Sequence, residues 1–514
     1  MGIKWGVDRD RSYWQDTVIV RAPVCALAAI LLMSLCPAVA QAAPACPTVV
    51  DDRTFATEAD LRRLNATIAG FGLRTTGSLA HRLMIDWLEG SVRRMPGIKT
   101  RSQTFNIQRW QPLTHDLSTS GLLTVADQRI RVAGVIPYTK PTVGVDGELV
   151  HLPSEPITAS ARGKIVLRDF PAVDRGYTAE AVLNQDLIDA GLAGAAGLII
   201  AFDFPHPQAQ GYYDPHTGTH YRVPGVFVGV DEAQQLKQLV GAQARVSVLA
   251  WSSPARTRSL IATLPGQSSE RIVLDTNTDG NTWVQENGNA ALLALASYFS
   301  SLPLACRPRT IEFVFATGHL NRPTEGTEFY ARELDAEYDS GTVAFAFALE
   351  HLGTREYLPV PRANGPGREL KPSGKSEFFG WFAGSPRLAA AATSAITARA
   401  LDRVAVLPGI DPPNPARVPP QCSFGGLGTH LHSHLIPTMA MISGPWTLWA
   451  PAFGPDAIDL TRMRSQVLAA GDTVLALGNV PRTEIAGPYL AYRQARAAGT
   501  PACPHDLPPV QAPV

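Results

Sequence analysis

The segment 272–289 constrains the fold of this chain more than any other. Three apolar residues at its start lead into the carboxylates Asp275, Asp279 and Glu286, and an apolar helix-like pattern follows. Such an order is typical of a buried parallel strand that delivers polar groups at its carboxyl end. Asp279 and Glu286 can meet only if the loop between them folds back. An ordinary turn with Asn287 as a helix cap is the alternative interpretation.

The pattern extends along the rest of the chain, where strands alternate with helices. Further strands are predicted at 310–315, 343–349 and 436–442. Alternation of this kind predicts an α/β fold, a mostly parallel sheet with helices on both faces. We expect 43–136 to be the first part of the main domain, 251–500 its larger part and 501–514 a flexible tail. The segments 355–375 and 408–420 are rich in proline and glycine, and we interpret them as surface loops.

The amino terminus, residues 1–42, is interpreted as a signal peptide. Basic residues precede an apolar run at 24–35, and small residues at 38–42 are typical of a cleavage site. The run is shorter than the roughly 20 residues of a membrane-spanning helix. We therefore expect a secreted or periplasmic protein with no membrane anchor after signal removal. The 45 basic and 45 acidic residues balance, which argues against a nucleic-acid partner.

Four cysteines remain after signal removal: Cys46, Cys306, Cys422 and Cys503. An even number in an oxidising compartment predicts two disulfides. Three pairings are possible, and a Cys46–Cys503 bond would tie the two ends of the chain together.

Residues 137–250 carry strands and helices of their own. Their glycine-rich series, with strands at 145–150, 163–167 and 223–228, resembles the protease-associated domain, an insert found in exopeptidase families. Such inserts shape access to a site. His216 and His220 lie in a loop of this region and are interpreted as exposed.

Polar side chains follow several of the predicted strands. The sets are Asp279 with Glu286, then His319, then Glu350 with His351, and finally His430, His432 and His434 before the last strand. Groups at the carboxyl ends of parallel strands converge on one crevice. Carboxylate and imidazole donors together suit zinc, and a zinc ion with an open position activates water. The three last histidines share one face if their segment is extended, and are solvated if it is a loop.

The order of these motifs resembles the zinc-dependent aminopeptidases and glutamate-carboxypeptidase-like exopeptidases, with a protease-associated domain inserted. The resemblance covers 71–92 and 259–479. It rests on the opening segment 71–78, Asn277-Thr278-Asp279 at a His-x-Asp motif, Glu286-Asn287-Gly288 at the bridging carboxylate, Gly318-His319 at a pair of glutamates, Glu350 at the next carboxylate ligand and Leu435-Ile436-Pro437 at a Gly-Ile-Pro strand.

Three positions depart from the pattern of that family. Asn277 stands where the family has its first histidine ligand, and Gly318 stands where it has its glutamate base. No histidine lies near Trp449, where the last ligand is expected. Asp279 matches in type, and its counterpart in the family orients a ligand.

The resemblance implies a secreted metal-dependent hydrolase, exopeptidase-like, acting on peptides or small amides. We expect a single zinc ion held by Glu286, His319 and one of the histidines at 430–434, with Glu350 as a fourth ligand or base. The alternative is a catalytically silent peptidase-like protein that binds peptides or a protein partner, which Asn277 and Gly318 favour. A cyclase-like transferase on the same scaffold is a third possibility.

Overall fold

The apolar run 272–274 lies in the middle of a large sheet. The computed structural model describes residues 46–170, 180–214, 220–318 and 326–504. The predicted signal peptide, His216, His319 and most of the predicted tail lie outside these residues. In spatial order the central sheet contains β1 (Lys99–Pro112), β10 (Ala250–Leu264), β12 (Arg309–Ala316), β11 (Ser268–Asn277), β13 (Val343–Leu349), β18 (Thr438–Ile442), β16 (Phe379–Ala383) and β17 (Val404–Leu407).

The four middle strands of this sheet are parallel. Strand β11 pairs with β12 on one side and with β13 on the other, and β13 pairs with β18. The pairs β1–β10, β10–β12 and β16–β18 are antiparallel. The predicted α/β class is confirmed. The strands that carry the predicted site, β12, β11, β13 and β18, are parallel to one another.

Helices cover this sheet on both faces. The described residues contain α1 (Glu58–Gly70), α2 (Leu79–Arg93), α3 (Glu180–Ala193), α4 (His206–Ala209), α5 (Val230–Gln238), α6 (Gly288–Ser301), α7 (Gly326–Tyr338), α8 (Pro386–Ala398), α9 (Gly428–Ser433), α10 (Leu460–Leu477), α11 (Arg482–Ala486) and α12 (Pro488–Ala497). None of these helices is both long and apolar enough to span a bilayer.

The two faces of β11 meet different helices, because side chains alternate along a strand. Ile272 and Leu274 lie in the apolar cluster that includes α6. Val273 lies in a second cluster with residues of α7 and α9. Asp275 and Asn277 follow Val273 at alternate positions, so they lie on the α7/α9 side of the sheet.

Helix α6 begins directly against the strand ends. A Cβ atom at Gly288 would overlap Thr276 Oγ1 and the carbonyl oxygen of Leu349. Only glycine therefore allows the first turn of α6 to approach the carboxyl ends of both β11 and β13. This close approach brings Glu286, just before the helix, to the middle of the sheet edge.

A second sheet forms between residues 121 and 248. In spatial order it contains β3 (Gln128–Ile130), β2 (Gly121–Val125), β9 (Gln243–Val248), β5 (Thr142–His151), β6 (Ile165–Phe170), β7 (Gly197–Phe202), β8 (Gly225–Val228) and β4 (Gly134–Val135). None of these strands pairs with a strand of the central sheet. The sheet begins before position 137, and its assignment as a protease-associated insert stays a prediction.

Three sequence interpretations are wrong in detail. His220, interpreted as exposed, is only 8% exposed, and its Nε2 lies 3.0 Å from the carbonyl oxygen of Gln108. The segment 355–375 is not a loop: β14 (Arg355–Pro361) and β15 (Arg368–Ser376) pair as an antiparallel hairpin. The disulfides join Cys46 to Cys306 and Cys422 to Cys503, so the suggested Cys46–Cys503 bond does not form. Cysteine spacing carries no information on pairing, because the fold alone decides which sulfurs meet.

Candidate functional site

The opening segment of the domain is bound to the end of β11. The backbone of Arg74 pairs with Gly280 in both directions, with N···O distances of 2.8 and 3.2 Å. Thr76 Oγ1 donates a 2.6 Å hydrogen bond to Asp279 Oδ2. Residues that lie some 200 positions earlier in the chain therefore hold Asp279 in place at the end of β11.

Glu286 forms a buried ion pair with Arg74. The guanidinium Nη2 lies 2.9 Å from Glu286 Oε1, and both side chains are 0% exposed. A Cβ atom at Gly280 would overlap Glu286 Oε1, so the loop between Asp279 and Glu286 folds back on itself. The positive charge next to Glu286 is thus supplied by the protein.

Asparagines surround this ion pair and fix the loops that carry it. Asn277 is fully buried, and its Nδ2 donates a 3.4 Å hydrogen bond to the carbonyl oxygen of Asp279. The side chain of Asn287 does not cap α6. It bonds to both the carbonyl oxygen and the amide of Leu352, at 2.6 and 2.9 Å. The start of α6 is therefore joined to the turn that follows Glu350.

Two carboxylates lie on the other side of the strand ends. Glu350 is nearly buried and accepts hydrogen bonds from the amide of Leu427, at 3.0 and 3.3 Å from its two oxygens. Asp275 is 0% exposed, and neither of its oxygens has a hydrogen-bond partner among the described residues. Burial, and then the charge of Glu350, raise the pKa of Asp275 well above its usual range. The α7/α9 side of the crevice is therefore strongly acidic.

The three predicted histidines, His430, His432 and His434, lie on α9 or directly after it, and not in an extended segment or a loop. His430 and His434 are one helical turn apart and face the same side. His430 Nδ1 and His434 Nε2 lie 3.1 and 2.9 Å from the two carboxylate oxygens of Glu328, and Asp335 Oδ2 lies 3.2 Å from His434 Nδ1. Burial disfavours the His434 cation, but hydrogen bonds to Asp335 and Glu328 outweigh it and raise the pKa.

His432 points away from these carboxylates. Its Nε2 donates to the carbonyl oxygen of Gln421 at 2.9 Å, so its Nδ1 accepts from the Tyr489 hydroxyl at 2.6 Å. The ring also stacks on Phe424, with centroids 4.4 Å apart. Burial lowers the pKa of His432 to about 4, so the ring is neutral at neutral pH.

Residues of the second sheet region contact the loops at the strand ends. The amide of Tyr213 donates to the carbonyl oxygen of Trp449, 2.9 Å away. Tyr138 and Tyr213 are buried beside Asp279, and burial together with this negative charge raises the pKa of both hydroxyls. Tyr138 and His351 adopt positive φ values of 60° and 53°, in the left-handed region that non-glycine residues seldom adopt.

Zinc is the group that the sequence resemblance implies, and the described donors do not fit it. Among residues 46–170, 180–214, 220–318 and 326–504, no group of three or more His, Cys, Asp or Glu side chains could hold a metal ion. Both ring nitrogens of His432 and His434 are hydrogen-bonded, and Glu286 is paired with Arg74. The set that includes His319 stays a prediction, because His319 lies outside these residues.

Sequence reasoning did not assign Arg74, Asp275 and Glu328 to the site. A carboxylate directly after a buried apolar run was the available signal for Asp275. Arg74 lies within the opening segment 71–78, and nothing in the sequence distinguishes it from the other polar residues there as a partner for Glu286. Glu328 lies in a helix with other charged residues and has no distinguishing pattern.

The fold is similar to that of known bacterial peptidases. A zinc aminopeptidase from Bacillus subtilis superposes with a TM-score of 0.60 at 16% identity, over 83% of this chain and 97% of that chain. A peptidase M28 precursor from Shewanella amazonensis gives 0.56 at 14% identity, over 82% and 98%. An aminopeptidase from Aneurinibacillus sp. gives 0.53 at 16%, over 81% and 93%. No protein-family model and no curated protein sequence matches the chain. The likeness therefore shows a zinc-exopeptidase-like fold.

We expect the Arg74–Glu286 pair to dominate local stability. Arg74→Met leaves a buried carboxylate without its guanidinium, which should lower the free energy of unfolding by about 3–5 kcal/mol. Glu286→Gln should also destabilise, and the double variant should lose less than the sum of the two. Urea unfolding of all four proteins measures this coupling.

The control is the exposed pair of Arg53 and Asp51, which has a similar N···O distance of 3.0 Å. Arg53→Met and Asp51→Asn should show no measurable coupling, because water screens exposed charges. Additive effects at Arg74 and Glu286 would show that the buried pair is not formed.

His432 should make the protein less stable in acid. The unfolded histidine binds a proton near pH 6.5, whereas the folded one remains neutral down to about pH 4. Unfolding is therefore favoured as pH falls through this window, by about 3 kcal/mol in total. His432→Gln should show a smaller loss of stability between pH 7 and 4.5, measured by urea unfolding. The same substitution at exposed His115 is the control, and equal pH profiles for wild type and His432→Gln would contradict the assignment.

Proposed function

We propose that this protein is a secreted, peptidase-like protein that binds peptides by their amino-terminal end and does not cleave them with zinc. The two disulfides support an oxidising compartment outside the cytoplasm. The exopeptidase-like fold supports a peptide as the ligand. The choice between binding and catalysis rests on the chemistry at the strand ends.

The buried pair of Arg74 and Glu286 carries this proposal. In the family that the sequence resembles, the carboxylate at the position of Glu286 bridges metal ions. Here its counterion is a guanidinium 2.9 Å away, in a place with no exposure to water. A zinc ion on Glu286 would have to displace that guanidinium and leave a buried charge unpaired, which costs several kcal/mol.

Other positions at the strand ends agree with a binding role. Gly318, at the place of the glutamate base, has no side chain to accept a proton. Asn277 offers zinc a neutral amide, a much poorer ligand than imidazole. Trp449, where the last histidine is expected, is buried and its carbonyl oxygen binds Tyr213.

Asp275 and Glu350 favour a cationic ligand group. Burial, and then repulsion by the neighbouring charge of Glu350, raise the pKa of Asp275. A ligand ammonium group would donate hydrogen bonds to Asp275 and offset this repulsion. The free amino terminus of a peptide is the group of this kind that an exopeptidase-like crevice would meet.

A metal-dependent hydrolase is the second candidate. The similar solved structures are described as zinc aminopeptidases, which favours it. Its single zinc ion would be held by Glu286, His319 and His430, with Glu350 as a ligand or as the base and Asp279 as an orienting residue. Zinc could bind to Glu286 in this way only after Glu286 separates from Arg74.

The proposal predicts binding without turnover. In isothermal titration calorimetry with zinc present, leucylglycylglycine should bind and remain intact by mass spectrometry. Its N-acetylated form, which lacks the ammonium group, should bind about tenfold more weakly or worse. Asp275→Asn should weaken binding to a similar degree, because an amide cannot carry the negative charge that attracts the ammonium group.

Asp127→Asn, the same substitution in an exposed turn, should leave the affinity unchanged. Peptide cleavage that a chelator abolishes and zinc restores would support the hydrolase instead. Equal affinity for the free and acetylated peptides would contradict recognition of the ammonium group.

A further inference from the structure

The second sheet region contains a surface cavity of about 410 Å³, away from the crevice. This volume lies within the range of about 300–1,000 Å³ that small-ligand sites occupy. Its lining includes Ser118, Arg129, Ile130, Arg131, Val132 and His206.

Two arginines give the cavity a positive side. Arg129 and Arg131 flank the buried Ile130 in the chain, and both line the cavity. Arg131 Nε donates to Glu232 Oε1 at 2.7 Å, which fixes its guanidinium. The Arg129 guanidinium is exposed and has no ion-pair partner among the described residues. Arg129 is therefore the group that remains available to an anion.

His206 supplies an independent indication of a ligand. Its side chain is only 7% exposed, and Nδ1 has no hydrogen-bond partner among the described residues. A buried polar atom without a partner costs free energy unless a ligand or water satisfies it. Burial lowers the pKa of His206, so the ring is neutral and can donate one N–H to an acceptor.

The remaining lining is partly polar and partly apolar. Ser118 Oγ donates to Asp116 Oδ1 at 2.8 Å and accepts from Gln210 Nε2 at 3.4 Å, so its hydroxyl is already ordered. Ile130 and Val132 add aliphatic surface. Glu232, behind Arg131, disfavours a ligand with several negative charges. This combination suits a single carboxylate attached to an apolar body.

We propose that this cavity binds a carboxylate-bearing ligand with a small apolar group, held by Arg129 and His206. The Arg129 guanidinium can donate two parallel N–H bonds to the planar carboxylate. The guanidinium of Arg131 is held in place by its ion pair with Glu232 before the ligand binds. Peptide carboxyl termini and free carboxylic acids share this chemistry. The inference does not depend on the function proposed for the crevice.

Calorimetric titration of the whole protein tests it. N-acetyl-leucyl-leucine with a free carboxylate should bind, and its carboxamide should bind at least about tenfold more weakly. A parallel titration with 4-methylpentanoate distinguishes free carboxylic acids from peptide carboxyl termini as the ligand. Equal or tighter binding of this acid identifies free carboxylic acids as the ligand, and weaker binding identifies peptide termini.

Arg129→Gln should weaken binding of the acid by about tenfold or more, and Arg129→Lys should retain part of it. Arg62→Gln, on the exposed side of α1, should have no effect. Arg129 is exposed, so circular dichroism should show an intact fold in each variant. Equal affinity for acid and amide, unchanged binding by Arg129→Gln, or no binding of either acid would overturn the proposal.

Discussion

The buried ion pair of Arg74 and Glu286 is the interaction on which the rest of the crevice depends. It joins the opening segment of the domain to the loop before α6, and the backbone pairing of Arg74 with Gly280 adds to the same junction. Because both side chains are fully buried, removal of either charge takes from the other a partner that water does not replace. The positions of Asp279, Glu286 and Asn287 at the strand ends all follow from this junction and from the close approach of α6.

The crevice therefore has two sides of different character. On one side Arg74 pairs with Glu286, and the hydroxyl of Thr76 donates to Asp279. On the other, Asp275 and Glu350 remain close together, while Glu328 engages His430 and His434. A metal site needs donors that converge with vacant lone pairs. Here most of the predicted donors are directed at protein partners, and this supports the proposal of peptide binding without zinc.

The fold could be predicted because its signals are local. Continuous apolar runs at 272–274 and 343–349 are typical of buried parallel strands, and both form such strands. The arrangement of the site could not be predicted in the same way, because it depends on contacts between residues far apart in the chain, such as Arg74 with Glu286 or Cys422 with Cys503. The spacing of residues along the sequence does not encode such contacts. The histidines at 430–434 illustrate the limit: their alternate spacing suits a strand, but a short helix turns His432 away from the other two.

The central claim is that the guanidinium of Arg74 occupies the place of a metal ion at Glu286. Metal analysis by mass spectrometry, after incubation of the purified protein with zinc and dialysis, tests it most directly. The account predicts far less than one zinc ion per chain for the wild type, with no change in stability on addition of a chelator. About one zinc ion per chain, retained through dialysis and lost in His319→Ala, would contradict it.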